Sequence, residues 1–262
     1  MLKNSEKEGV SKQLRQNLAK IKNRIRQAAE RSNRNPDEIK LIAVTKTVEP
    51  PVIESLYSSG ITEVGENRVQ SAEQKIPLSP SGLIWHMIGH LQTNKVKKAL
   101  RLFDTIHSLD NLLLAETINK YAGELNKRIK VFIQVNTSGE ISKFGVNHLE
   151  AVNFYDRVAA LPYLQIQGLM TMAPFTDNPD VIRPCFIKLR ELLNRLQERI
   201  PADRSPEFKY LSMGMSQDFE IAVEEGAHVL RIGTALFKGI PAISASVPPP
   251  PRRGGADPSF GG

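Results

Sequence analysis

Hydrophobic residues recur along this chain with two different spacings. Val10, Leu14, Leu18, Ile21, Ile25 and Ala28 follow one another at steps of three and four, which draws a single apolar stripe down a helix. Beyond that stripe, short apolar runs at 39–44, 61–65, 83–88, 105–109, 129–135, 164–170, 208–213 and 229–232 predict strands. Helical patterns lie between them, at 52–59, 68–75, 93–102, 111–126, 148–161, 181–199 and 217–225. Strands separated by helices imply parallel pairing through right-handed crossovers. Several runs are apolar on consecutive residues, as expected of strands covered on both faces.

Eight strands suit a closed α/β barrel, a single (β/α)8 TIM barrel, and 262 residues are enough for one. The competing fold is an open doubly wound sheet. Its glycine fingerprint is missing after the first strand, where "VTKTVEP" stands instead. The expected organisation is an amphipathic basic helix at 1–35 packed on the barrel, the barrel itself at 36–237, and a disordered tail at 238–262. That tail, "KGIPAISASVPPPPRRGGADPSFGG", is rich in Pro, Gly and Ser and has no apolar period.

Charge changes the picture in one place. The net charge is +7, and residues 1–35 alone hold ten Lys/Arg against three Glu, so the other 227 residues sum to zero. A basic block of this kind attracts nucleic acid, an anionic membrane or an acidic protein. The apolar stripe favours a plainer account, in which the helix covers one end of a core and turns its cations to water. No aromatic residue interrupts the block to stack on bases, so a nucleic-acid role is not expected. No apolar run approaches the roughly 20 residues of a membrane helix, and the charged N-terminus lacks a secretory apolar region. The lone cysteine, Cys185, sits in an apolar helical pattern and reads as packing. A reducing, cytoplasmic setting is expected.

In such a barrel the chemistry lies at the C-terminal ends of the strands, and phosphate is often held by the loops after the last two. After the seventh predicted strand comes "YLSMGMSQDFE", with Ser212 and Gly214; the eighth ends in "VLRIGTALF", with Gly233 and Thr234. Each pairs a backbone donor with a hydroxyl, and together they can enclose one phosphate. Each is also an ordinary strand-to-helix turn. Arg231 interrupts the eighth strand; as a donor-only cation it requires a partner that accepts, either an unprotonated ring nitrogen or an acid such as Glu66. Lys46 follows the first strand, which in a closed barrel neighbours the eighth. A lysine partly desolvated, or close to Arg231, becomes a nucleophile. Beside phosphate turns, the economical reading is a Schiff base with pyridoxal 5′-phosphate. The alternative is a lysine whose stem packs and whose head reaches solvent. His86 and His90 straddle a strand end, where residues four apart do not converge, so metal binding is not expected and strand-end hydrogen bonding is.

The stretches "LIAVTKT", "VGENRVQ", "WHMIGHLQTNK", "HSLDN", "VFIQVNTSGEISKFGV", "GLMTMAP" and "LSMGMSQDFEIAVEEGAHVLRIGTALF" resemble, in order, the pyridoxal-phosphate homeostasis (YggS/PROSC) family, its cyanobacterial members in particular. The resemblance implies a barrel like the N-terminal domain of alanine racemases, of the fold type III kind, with pyridoxal phosphate on Lys46 and Arg231 at its ring nitrogen. It places Ser212, Gly214, Gly233 and Thr234 around the phosphate and Asn67 near the ring. It implies a role in vitamin B6 and amino-acid or keto-acid balance without robust catalysis; an amino-acid racemase or lyase on the same barrel is the alternative. A monomer is expected, with acceptor apo-enzymes or an acidic protein as candidate partners. The sequence departs from the family at Lys238, where a glycine is expected.

Overall fold

The structure is a computed structural model that describes residues 4–140, 143–200 and 207–240. Among these residues nine strands run β1 Lys40–Val44, β2 Glu63–Glu66, β3 Ile84–Met87, β4 Thr105–Leu109, β5 Ile129–Asn136, β6 Val146–Asn147, β7 Leu164–Met170, β8 Tyr210–Ser212 and β9 Val229–Ile232. All pairings are parallel. The sheet order β4-β3-β2-β1-β9-β8-β7-β5 is closed by β4 against β5, which makes an eight-stranded barrel. Strand β6 is an accessory pair to the end of β5. With only two residues it carries no period of its own, so the apolar pattern misses it.

Helices α2 Pro50–Ser58, α3 Val69–Lys75, α4 Val96–Leu102, α5 Leu112–Glu124, α6 Ala151–Ala159, α7 Pro179–Gln197 and α8 Phe219–Glu224 surround the barrel. Local chemistry sets their starts. Pro50 and Pro51 open α2, where a missing N–H costs nothing. The side chain of Asn111 accepts from Leu114 N at 2.9 Å and caps α5. The pattern at 93–102 divides into a 3-10 turn, Thr93–Lys95, followed by α4.

Two apolar compartments follow from strand alternation. Most buried residues lie between strands and helices. A second cluster of Ile42, Phe132, Met170 and Val229, with Met172 and Tyr210 against it, fills part of the barrel interior. Cys185 is buried on α7, in keeping with packing.

Helix α1, Asn4–Arg31, corrects the sequence reading of a helix over one end of the core. It stands instead as a stave of the outer ring, packed between α8 and α2. Its stripe of Val10, Leu14, Leu18, Ile21, Ile25 and Ala28 is buried there. Asn17 Nδ2 donates to the carbonyls of Leu236 at 2.9 Å and Lys238 at 2.8 Å, tying the chain beyond β9 to this helix. Part of the basic block is used internally: Arg24 pairs with Glu220 at 2.6 Å and Arg31 with Glu224 at 2.8 Å. Of the expected tail, residues 241–262 lie outside those described. No helix among the described residues is long and apolar enough to cross a membrane.

If α1 is part of the barrel's outer layer, Leu14→Ala, at a fully buried position, lowers stability by about 2–5 kcal/mol in urea unfolding. A loss below about 0.5 kcal/mol, the range of surface substitutions, would show that the helix is only an appendage.

Candidate functional site

Strand alternation decides what faces the barrel mouth. On β1, Ile42 points inward and joins the interior cluster. The β1–β9 register pairs Ile42 with Arg231 and Ala43 with Ile232. One step on, a Cβ built on Gly233 would lie 3.3 Å from the Val44 Cβ. Lys46 follows in the next turn, closed by Val48 N donating to Thr45 O at 3.1 Å. Lys46 is exposed at this rim rather than desolvated, and has no hydrogen-bond or ion-pair partner among the described residues.

The turns after β8 and β9 lie beside it. A groove of about 1180 Å³ runs between α1 and these turns; beside α1 and residues 237–240 it is lined by Thr47, by Ser216 and Gln217 of the first turn and by Thr234 and Ala235 of the second. Ser216 Oγ accepts from Ala235 N at 3.1 Å and staples the two turns together. The N–H groups of Ser216, Gln217 and Thr234 make no backbone bond among the described residues, so they remain available as donors. Gly214 has φ +96°, and a Cβ there would come within 2.6 Å of the Ala222 Cβ. Its glycine is therefore demanded by packing against α8 as well as by the turn.

Arg231 lies inside the barrel. Its Nη1 donates to Ser212 Oγ at 2.7 Å and its Nη2 to Thr171 O at 2.9 Å, leaving further N–H groups uncommitted. Burial pulls its pKa down to about 10, opposed by Asp218, so the guanidinium stays charged near neutral pH. The suggested Glu66–Arg231 pair does not form, because Glu66 faces outward and binds Lys75 at 2.8 Å. Asp218 is buried, which raises its carboxyl pKa; Oδ1 accepts from Met215 N, and Oδ2 has no hydrogen-bond partner.

Ser212 is set deeper than the turn that follows it. Its hydroxyl is 2.9 Å from His107 Nδ1, and His107 Nε2 is 3.0 Å from His86 Nδ1. His86 Nε2 then lies 3.2 Å from Glu63 Oε2, at ion-pair distance without hydrogen-bond alignment. His86 is thus an interior residue rather than a strand-end one. Burial, with Arg231 and His86 nearby, holds His107 neutral well below the usual histidine range. Burial pushes the Glu63 carboxyl up, but contacts with His86 and Lys40 outweigh it and keep Glu63 ionised. Asn67, half-buried at the end of β2, lines a separate cavity of about 670 Å³ with Arg68, Gly89, His90 and Lys95. Among the described residues, no group of His, Cys, Asp and Glu is arranged to hold a metal.

The structure therefore brings Thr47, the neighbour of Lys46, to Ser216, Gln217, Thr234 and Ala235 in one groove, which Lys46 itself does not line. It sets Ser212 below them and Asn67 in its own cavity. Ser216, His107 and Thr171 are additions to the sequence reading. The hydroxyl of Ser216 in "SMGMSQDFE" and the inward parity of His107 in the strand "TIHSL" were the available signals.

The alanine racemase N-terminal domain family matches residues 16–241. A pyridoxal phosphate homeostasis protein of Aquifex aeolicus is 43% identical over 84% of this chain and 95% of its own length. The Escherichia coli protein of the same name is 36% identical over 84% of this chain and 94% of its own. The structure of PipY from Synechococcus elongatus, with PLP bound, superposes with a TM-score of 0.74 at 34% identity, covering 86% of this chain and 99% of that one. An alanine racemase of Clostridium difficile shares the fold, with a TM-score of 0.71 at 16% identity; the match covers 56% of that longer chain.

A half-buried histidine held neutral gives the stability a pH dependence. His228 is held down to about 4 by burial, with Arg34 and Lys209 adding to the effect, and its Nδ1 accepts from Leu211 N. The unfolded chain protonates such a residue near pH 6.5 while the folded chain resists, so stability is retained above about 6.5 and falls as the pH drops toward 4. Thermal midpoints at pH 7.5, 6 and 5 should decline in that order, less steeply in His228→Asn. An equal slope in that variant removes His228 from the account.

Proposed function

The chain belongs to the alanine racemase N-terminal domain family, and from that footing we propose that it binds pyridoxal 5′-phosphate for vitamin B6 homeostasis, through a Schiff base on Lys46. The carrying observation is the shared groove: Thr47, adjacent to Lys46, lines it with both stapled turns. Curated relatives at 34–43% identity over most of the chain are named for pyridoxal phosphate homeostasis, and PipY was solved with the cofactor bound.

The residues present fit the group. Lys46 offers an unpaired amine at the mouth. Thr234 and Ser216 bring hydroxyls and free N–H groups to a phosphate, with Gly214 and Gly233 shaping the turns that carry them. Arg231, charged and donor-only, suits a ring nitrogen that accepts. When bound, pyridoxal phosphate supplies an aldehyde that condenses with an amine and a ring that serves as an electron sink. A guanidinium at the ring nitrogen disfavours its protonation and weakens that sink, which supports holding and releasing the cofactor over turning over amino acids. Ser212 acts behind Arg231, orienting it. Asn67, which the resemblance puts near the ring, lines its own cavity instead and is given no part here.

Wild-type protein with pyridoxal phosphate is expected to show an imine absorbance band that borohydride fixes on residue 46, and Lys46→Ala is expected to lose both. Label on another lysine, or a colourless wild-type protein at saturating cofactor, ends this reading. With a panel of L- and D-amino acids, only background turnover is expected. Rates in the ordinary enzyme range of roughly 1–10³ s⁻¹ would instead favour a racemase or lyase.

A further inference from the structure

Lys46 is carried by a turn whose first residue is clamped from outside the barrel. All the polar groups of Thr45 are engaged. Its N–H donates to Gly65 O at 2.9 Å, and its hydroxyl donates to Glu66 Oε1 at 2.8 Å. Its carbonyl accepts from Val48 N at 3.1 Å and from Lys75 Nζ at 2.7 Å. Lys75 Nζ also donates to Glu66 Oε1 at 2.8 Å. The pair is enclosed between β2 and α3, the Lys75 side chain being 10% exposed and that of Glu66 1%.

Enclosing two charges is costly, and apolar residues of similar volume often serve a core as well or better. The geometry here gives the pair a different use. The carbonyl of Thr45 and the amide of Lys46 belong to one rigid peptide plane. A charged donor on that carbonyl therefore fixes the plane from which the Lys46 Cα is suspended. Glu66 anchors the donor and, through the Thr45 hydroxyl, the side chain on the opposite face of the strand. Hydrogen bonds to charged groups are the stronger kind, so the clamp is stiff.

We propose that Lys75, acting through Glu66 and Thr45, is a positioning residue that fixes the 45–48 turn and so the direction from which the Lys46 amine enters the barrel mouth. The consequence for the cofactor rests on the proposed function above; the consequence for the turn does not.

The test compares full-length wild type with Lys75→Met/Glu66→Leu, which removes both charges so that neither is stranded, and with Thr45→Val, which leaves the ion pair and removes only the hydroxyl link. Thermal midpoint and circular dichroism establish folding. Amide hydrogen exchange across residues 45–48 reads the turn without any cofactor. Pyridoxal phosphate titration reads affinity and the pH midpoint of the imine band. In the double variant we expect exchange at the Val48 amide and the cofactor dissociation constant each to rise about tenfold, the worth of one hydrogen bond to a charged group, with a shifted band midpoint. Thr45→Val should show the same changes in smaller measure, and it carries the comparison alone if the double variant does not fold. Folded variants with wild-type exchange, affinity and band midpoint overturn the proposal, as does a lower melting temperature with those three unmoved. If borohydride leaves residue 46 of the wild type unlabelled, the cofactor reading fails, while the exchange measurement still decides whether Lys75 fixes the turn.

Discussion

The parallel ladder between β1 and β9 is the constraint from which the rest of the structure follows. It joins the first strand to the last, from Lys40 against Val229 to Ala43 against Ile232. Because side chains alternate along a strand, this register decides which residues meet at the mouth. A slip of one position would turn Ile42 out of the interior cluster and bring Ala43 in. It would also part Val44 from Gly233 and separate Lys46 from the turns after β8 and β9. Both the hydrophobic interior and the site thus depend on the same pairing, so barrel closure and site assembly are one event.

Within that barrel the interior is not uniformly oily. One side holds Ile42, Phe132, Met170 and Val229, and the other a polar line of Arg231, Ser212, His107, His86 and Glu63. The line has a sense. Arg231 can only donate, so Ser212 must accept from it; the His107 ring beyond is kept neutral, and His86 links it to an ionised Glu63. Phe132 stacks on the His107 ring with centroids 4.4 Å apart, joining the two sides. A guanidinium deep in a barrel is tolerable because its charge is met by a hydroxyl, a carbonyl and the field of Asp218.

Sequence made the strands legible because parallel strands buried on both faces leave continuous apolar runs. It made Lys46, Gly233 and Thr234 legible as candidates because strand ends are where such barrels keep their chemistry. It could not show the polar line, whose members come from β2, β3, β4, β8 and β9 and meet only across the closed interior. Parity along single strands explains the failed Glu66 suggestion: Glu66 faces α3 and Arg231 faces inward, so two plausible opposite charges never share a compartment. For α1, the apolar stripe identified a buried face, but periodicity names no partner for it. That partner proved to be α8 and α2, not an end of the barrel.

The place of α1 has a consequence for how the molecule is made. Apart from α2, its partners are distant in the chain: Arg24 waits for Glu220, and Asn17 for carbonyls at Leu236 and Lys238, the latter two more than two hundred residues away. During synthesis this helix emerges before all of these partners; α2 can cover one side of its stripe early, while the side that meets α8 stays uncovered until α8 has been delivered. Contacts of such long range make closure slow relative to the local helices. The cations on its outer face give any two copies like charges that repel while that side of the stripe is still bare.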